Sequence, residues 1–471
     1  MAAARRLQTY TPRHNVTTTS TTHESPLTPR VLIARGADPI ELAAKADPFG
    51  DQVHTILFVL WAVALPLGNI PWAKDVLFGG LIVWSVLRAT VGHVDYAWAG
   101  IFRNPLALLL MAWVAWSSAS LLWSPNPAFG SDQLGGLRML AIPFVAWPVL
   151  RKWRLALGGF LVGGTLIGAG IVAQFSGWVD IPDFDPTRES RLSMSMGVWT
   201  AGLVCSATFI GHYLLTGIKS GTAAVVWHIA GGSIVIMAIV LNGTRSCWIA
   251  LFIAGIGSTL ILMVLAPSLR RRFFLIVTAA IAGLATAATI DDAFLDSRGA
   301  AMILRRSIPA IVEFQETSTF AVNQGTIHYR RKMWNGGYNL IVQRPLIGWG
   351  LGGFSAGLIN QPGLASRHNP DGTPINANQF NPHSSYVYQA ASTGLIGFGI
   401  MAGTLIVAIC LMVSRIRRTP MTIVPLAMLS MWIVVSTFES TLLSGIGGGL
   451  LIMFLLPALA TRPNAKVVAA S

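Results

Sequence analysis

The sequence predicts an all-α polytopic membrane protein of about twelve transmembrane helices with a long, partly helical loop on one side. Three observations carry this: a deficit of charge, a succession of apolar runs, and an uneven placement of Lys and Arg. Of 471 residues, 53% are hydrophobic and only 11% charged. A soluble domain carries about 25% charged residues, and charge is costly in lipid. Twelve helices of about 20 residues use roughly 240 positions, which leaves room for a large loop and a tail.

The apolar runs lie near 53–68, 73–90, 105–122, 134–150, 155–174, 194–215, 223–241, 246–266, 272–290, 384–413, 420–438 and 443–460. The first two are separated by Pro66, Gly68 and Pro71, and the last two by Glu439-Ser440-Thr441. With a cytoplasmic N-terminus, alternate short links hold fourteen Lys and Arg, among them Arg88, Arg151, Lys152, Arg270, Arg415 and Lys466. The opposite links hold five: Lys74, Arg138, Arg188, Arg191 and Arg245. This is a positive-inside bias, so both termini are expected in the cytoplasm. The formal net charge of +14 is thereby accounted for. The basic residues are scattered between apolar runs, so no nucleic-acid partner is expected. Cys205, Cys247 and Cys410 lie inside apolar runs without CxxC spacing, which argues against a disulfide framework or a zinc site.

Residues 1–50 are polar and Ser/Thr-rich and read as a disordered cytoplasmic tail without a signal peptide. Residues 51–290 hold helices 1–9, 291–383 form the periplasmic loop, 384–460 hold helices 10–12, and 461–471 are a cytoplasmic tail. Within the loop, 294–314 has a helical apolar stripe beside Arg298, Arg305 and Arg306, suited to a membrane surface. A second helical stretch runs near 326–343 and ends before Pro345. The Gly-rich turn Gly348-Trp349-Gly350-Leu351-Gly352-Gly353-Phe354 follows, and 358–382 reads as loop.

Polar residues at outer helix ends are the candidates for chemistry. Arg191 precedes the run at 194, Arg245 opens the run at 246, and His383 opens the run at 384. Helix N-termini attract anions, and arginine adds bidentate contacts to phosphate, so a phosphate-holding cavity at the membrane face is expected. A lone interfacial Arg commonly only snorkels to headgroups, and a lone His is more often structural. His368 beside Arg367 has nothing to single it out.

Two spacings resemble the O-antigen ligase and polymerase superfamily. Arg191 is followed after ten residues by Gly202. His383-Ser384 is followed after nine by Gly394-Leu395-Ile396-Gly397. The stretch from Arg330 and Arg331 to Trp334, then Arg344 to Phe354, is similar to the segment that precedes the family's histidine. The resemblance implies a fold like the GT-C membrane glycosyltransferases. It also implies an inverting, metal-independent transfer of glycan from undecaprenyl pyrophosphate to lipid A-core, with no cofactor. His383 is then the catalytic base or a phosphate contact, and Arg191 and Arg245 hold the pyrophosphate. Arg305, Arg330, Tyr386 and Glu439 are secondary candidates. Asp183 and Asp185 are the weaker candidates for a cation site, and no metal is expected.

The nearest rival is an O-antigen polymerase, which uses the same donor and a glycan acceptor. A protein O-oligosaccharyltransferase of the superfamily is expected to carry a large outer C-terminal domain, whereas this sequence ends about ten residues after its last apolar run. From another class, a transporter would show midplane charges or internal repeats, and neither stands out.

Overall fold

The computed structural model describes residues 38–68, 70–176, 178, 198–219, 221–242, 244–274, 326–359 and 382–460. Among these residues the protein is helical throughout, without a β-strand. The helices are α1 (Pro39–Ala46), α2 (Pro48–Ala64), α3 (Pro71–Thr90), α4 (Pro105–Ala119), α5 (Pro127–Leu137), α6 (Trp153–Phe175), α7 (Val198–Ile218), α8 (Thr222–Asn242), α9 (Arg245–Leu265), α10 (Thr326–Gln343), α11 (Gly353–Ile359), α12 (Ser385–Val413), α13 (Ile423–Phe438) and α14 (Gly445–Leu459). Shorter 3-10 and helical turns connect some of them.

Seven of the described helices are long and apolar enough to cross a membrane, or eight if the bent pair Trp72–Thr90 and Asp95–Arg103 counts as one span. The protein is a multi-pass membrane protein, with a lower described count than the twelve runs suggest. The difference has local causes. The run at 272–290 lies mostly outside the described residues. The run at 134–150 is broken into 3-10 turns at Arg138–Ala141 and Trp147–Lys152 around the short helical turn Ile142–Val145, which holds Pro143. Its second 3-10 turn instead continues into α6. The run at 443–460 yields only the fifteen residues of α14. That helix is apolar on every side and buried from Gly447 to Leu459, so it is the central post of the bundle rather than a lipid-facing span.

Residues 38–50, expected to be part of the tail, are folded. Asp38 caps α1 by accepting from the Ile40 N–H at 3.0 Å, and Asp47 caps α2 by accepting from Gly50 at 2.8 Å. Pro39 and Pro48 occupy the first helical positions, where a missing N–H costs nothing. The remainder of the expected tail, 1–37, and most of the expected 291–383 loop, including 294–314, lie outside the described residues. The predicted helix at 326–343 is α10.

Contacts fix which helix ends lie together. Asp51 near the start of α2 meets Lys152, and Arg88 at the end of α3 meets Asp47. The Asn104 side chain, which caps α4, donates to the Leu459 carbonyl at the end of α14 at 2.9 Å. The start of α12, the end of α13 and the start of α14 gather at the opposite end, with α10 laid against α12.

Candidate active site

The site is built on one face of α10. Arg330, Trp334 and Gly337 follow a helical spacing and point the same way. Gly337 is the contact point with α12, for a Cβ there would stand 2.4 Å from Val387 Cγ1. One turn back, the Trp334 indole donates to the Pro382 carbonyl at 2.8 Å. Two turns back, Arg330 Nη2 donates to Glu439 Oε1 at 2.8 Å. His383 Nδ1 lies 3.2 Å from Glu439 Oε2. One carboxylate thus bridges an arginine from α10 and a histidine at the mouth of α12.

His383 has φ +48°, an uncommon backbone conformation for a side-chain-bearing residue. Trp334 fixes the residue before it, and Ser384 fixes the residue after it by capping α12 at the Val387 N–H. Such held backbone is common where a side chain must be aimed. Glu439 ends α13 and is 8% exposed. Its carbonyl accepts from Ser385 Oγ at 3.2 Å, and Ser385 also receives the Leu442 N–H at 3.3 Å. The start of α12 and the α13–α14 turn are therefore tied through backbone as well as side chains.

The glycines of the spacing starting at His383-Ser384 have structural reasons. Gly394 breaks α12 with φ +70°. A Cβ there would stand 2.1 Å from the Leu346 carbonyl. The break frees the carbonyls of Ala391 and Ser392, which accept from Trp349 and Gly350 at 2.9 and 2.7 Å. In return, the Leu395 N–H donates to the Pro345 carbonyl at 2.7 Å. The Gly-rich turn thus satisfies backbone groups that lipid could not. Gly397 makes room for Trp116, whose Cδ1 would lie 2.8 Å from a Cβ. Gly202 serves a comparable purpose in α7: a Cβ would meet Asn242 Oδ1 at 2.8 Å and Cys247 Sγ at 3.0 Å. It seats α7 against the turn that launches Arg245.

The sequence candidates divide into four groups. His383, Arg330 and Glu439 are brought into direct contact. Arg245 opens α9, which packs on α13, the helix that Glu439 ends. Tyr386 stands apart from the cluster in role, because its hydroxyl donates to the Ile433 carbonyl at 2.8 Å and ties α12 to α13. Arg191, Arg305, Asp183 and Asp185 lie outside the described residues. Glu439 is the residue whose importance sequence spacing understated, since its partners lie 56 and 109 positions away. The signal available was a lone carboxylate between two strongly apolar runs.

The fold and the site define a multi-pass membrane protein with a His–Glu–Arg cluster held at one end of its helices. Residues 230–402 match a family model, O-antigen ligase, the family whose motifs the chain resembles. The matched stretch covers α8 from Ala230, then α9, α10, α11 and α12 as far as Ala402, and so includes Arg245, Arg330 and His383. Glu439 falls beyond it. No curated protein matches the chain.

Proposed function

We propose that this protein is an O-antigen ligase that moves glycan from undecaprenyl pyrophosphate to lipid A-core at the periplasmic face of the inner membrane. The observation that carries the reading is the single carboxylate, Glu439, shared by His383 and Arg330. An ionised carboxylate can only accept, so His383 Nδ1 donates to it. In the neutral imidazole this makes Nε2 the basic nitrogen. Glu439 holds the ring in that tautomer and steadies the imidazolium that forms on proton uptake, as an orienting carboxylate does in other acid–base sites. Arg330 holds Glu439 in place.

The reaction then balances simply. The acceptor hydroxyl oxygen attacks C1 of the donor sugar, and its proton passes to His383 Nε2. The bond from C1 to the pyrophosphate oxygen breaks, with its electrons leaving on undecaprenyl pyrophosphate. Attack from the face opposite the leaving group inverts C1. Arg245, at the positive end of the 21-residue helix α9, and Arg191 meet the charge that grows on the pyrophosphate. With arginines in that role the transfer should survive EDTA. A strict need for magnesium, restored by adding it back, would move the donor site to Asp183 and Asp185. A fold akin to the GT-C glycosyltransferases and a periplasmic placement of the His383 end belong to the same reading, supported by the positive-inside count.

The test is a transfer assay with purified protein, prenyl-linked glycan and lipid A-core. The expected product is glycan on lipid A-core together with free prenyl pyrophosphate. A ladder on the prenyl carrier with nothing on lipid A-core would make the protein an O-antigen polymerase. Cytoplasmic labelling of a cysteine placed within 355–375 would overturn the orientation and the mechanism with it.

A further inference from the structure

A groove of about 440 Å³ runs between α4 and the broken segment that follows α5. One wall is Val114, Ala115 and Ser118 of α4, and the other is Leu137, Arg138 and Phe144. It exists because α4 is continuous while the facing chain turns to 3-10 geometry at Arg138–Ala141, which withdraws side chains from the helical surface. The walls are apolar except where Arg138 enters. Arg138 Nη2 lies 2.8 Å from Asp75 Oδ2, and Lys74 Nζ lies 3.5 Å from the same oxygen. Among the described residues two cations meet one carboxylate here, so these three side chains together carry a positive charge.

The mouth also adjoins the candidate active site. Lys74 is 6% exposed, and its Cε stands 4.0 Å from where a Cβ on Gly445 would be, at the start of α14 and just past the turn that begins at Glu439. The helix α14 packs on α5 and on Arg138–Ala141, while α13 packs on α7 and α9. The α13–α14 turn therefore has the Arg245 helix on one flank and the groove on the other.

We propose that this groove seats an acyl chain of the acceptor, an anionic phosphoglycolipid, with its phosphate at the half-exposed Arg138. The inference rests on the reading of the chain as a glycan transferase between two lipids. Each amphiphile must keep its tail in the bilayer and offer its head to a common centre, which requires two lateral seats on different sides of the reacting groups. The flank beside α9 suits the pyrophosphate donor. The basic mouth on the other flank suits a phosphate, to which arginine gives directed contacts that an uncharged glycolipid would leave unused.

The experiment uses the full chain in nanodiscs with lipid A-core that carries a diazirine in one acyl chain. Illumination should label the peptides that contain 114–118 or 137–144, and excess unlabelled lipid A-core should suppress it. Dephosphorylated lipid A-core should compete poorly. Ala115→Trp fills a partly open wall and should lower labelling about tenfold or more, as expected when a few methylenes lose their burial. Arg138→Glu should do the same without bulk. Both variants should bind prenyl pyrophosphate as the unaltered protein does, which also reports that they fold. His383→Ala should abolish transfer and leave groove labelling intact, so labelling reads the groove apart from the chemistry. Equal competition by phosphatidylglycerol, labelling elsewhere, or preferential capture of a prenyl pyrophosphate probe would overturn the proposal. Intact transfer without groove labelling would sink the groove alone, whereas specific labelling without transfer in the unaltered protein would sink the transferase reading.

Discussion

The two ends of the helix bundle each gather a histidine, an arginine and carboxylates, and they use them oppositely. At one end, His54 is fully buried and its Nδ1 lies 3.2 Å from Arg88 Nη1. A guanidinium has no acceptor, so this imidazole nitrogen must accept and the ring is held neutral. Arg88 also reaches Asp47 at 2.9 Å, while Lys152 joins Asp51 and Thr55 at 2.5 and 2.8 Å. His54, Arg88, Asp51 and Thr55 are buried within protein, while Asp47 and Lys152 sit at the cluster's edge. At the other end, His383 is about one-third exposed and its Nδ1 faces a carboxylate, which forces the opposite proton arrangement. The first cluster locks α2, α3 and the chain before α6. The second keeps an imidazole that is about one-third exposed. Residue type alone does not distinguish a lock from a site; the partner of the histidine and its exposure do.

The sharpest way to break this contrast is to remove the histidine at the open end. His383→Ala should lower transfer by about 10²–10⁴-fold, the usual contribution of a positioned general base. Donor binding should persist, because the proposed pyrophosphate contacts are arginines. His383→Gln keeps a hydrogen bond to Glu439 and cannot take the proton, so it should be equally inactive in the lipid A-core transfer assay. Substantial activity in the Gln variant would make His383 a phosphate contact.

Next in size is the carboxylate. Glu439→Gln retains shape and removes the charge that holds the imidazole, so kcat should fall by about 10–150-fold, the value of a charged hydrogen bond. The donor KM should move little. Arg330→Ala should act in the same direction, and the double variant should cost less than the product of the two, since both act through one carboxylate. Strict multiplicativity would mean that the two residues serve separate purposes.

The arginines of the donor seat test whether the open end is a phosphate site at all. Arg245→Ala and Arg191→Ala should each lose about 10–150-fold in kcat/KM while the protein still inserts and purifies. Lysine should restore part of this, because it keeps the charge and loses the fork. Full activity in both alanine variants would leave them as snorkelling residues.

These expectations show what could be read from sequence and what could not. His383 and Arg245 stood out as candidates because they begin apolar runs, where a polar residue has few reasons to be. Helices α6 to α9 and α12 fall where the apolar runs place them, since burial in lipid dominates their local preferences. Glu439 was a secondary candidate in a polar link, and its pairing with His383 and Arg330 was hidden because those partners come from helices that meet after folding. The break at Gly394 was hidden within a continuous apolar run, for the turn that satisfies its freed carbonyls lies more than forty residues earlier. The span after α5 was misread as one helix because composition reports depth in the membrane, whereas Pro143 and the 3-10 turns report path.

The smallest expected effect on activity is at the sealed end, and it sharpens the comparison most. Arg88→Ala removes the cation that sits among Asp47, Asp51 and His54 and leaves their polar groups without it. Loss of one partner from a buried ionic network costs about 3–5 kcal/mol, because the remaining charge is stranded away from water. Arg88 is 3% exposed, so solvent gives little relief. Thermal unfolding in detergent should therefore shift clearly downward. Transfer per folded molecule should stay unchanged, since this cluster lies at the opposite end of α14 from Glu439. Arg88→Lys should recover part of the stability, because an ammonium can still reach Asp47 but cannot also span to His54. If Arg88→Ala instead lowered kcat at temperatures where the protein remains folded, the two clusters would be coupled along the central helix α14, and the division into lock and site would fail.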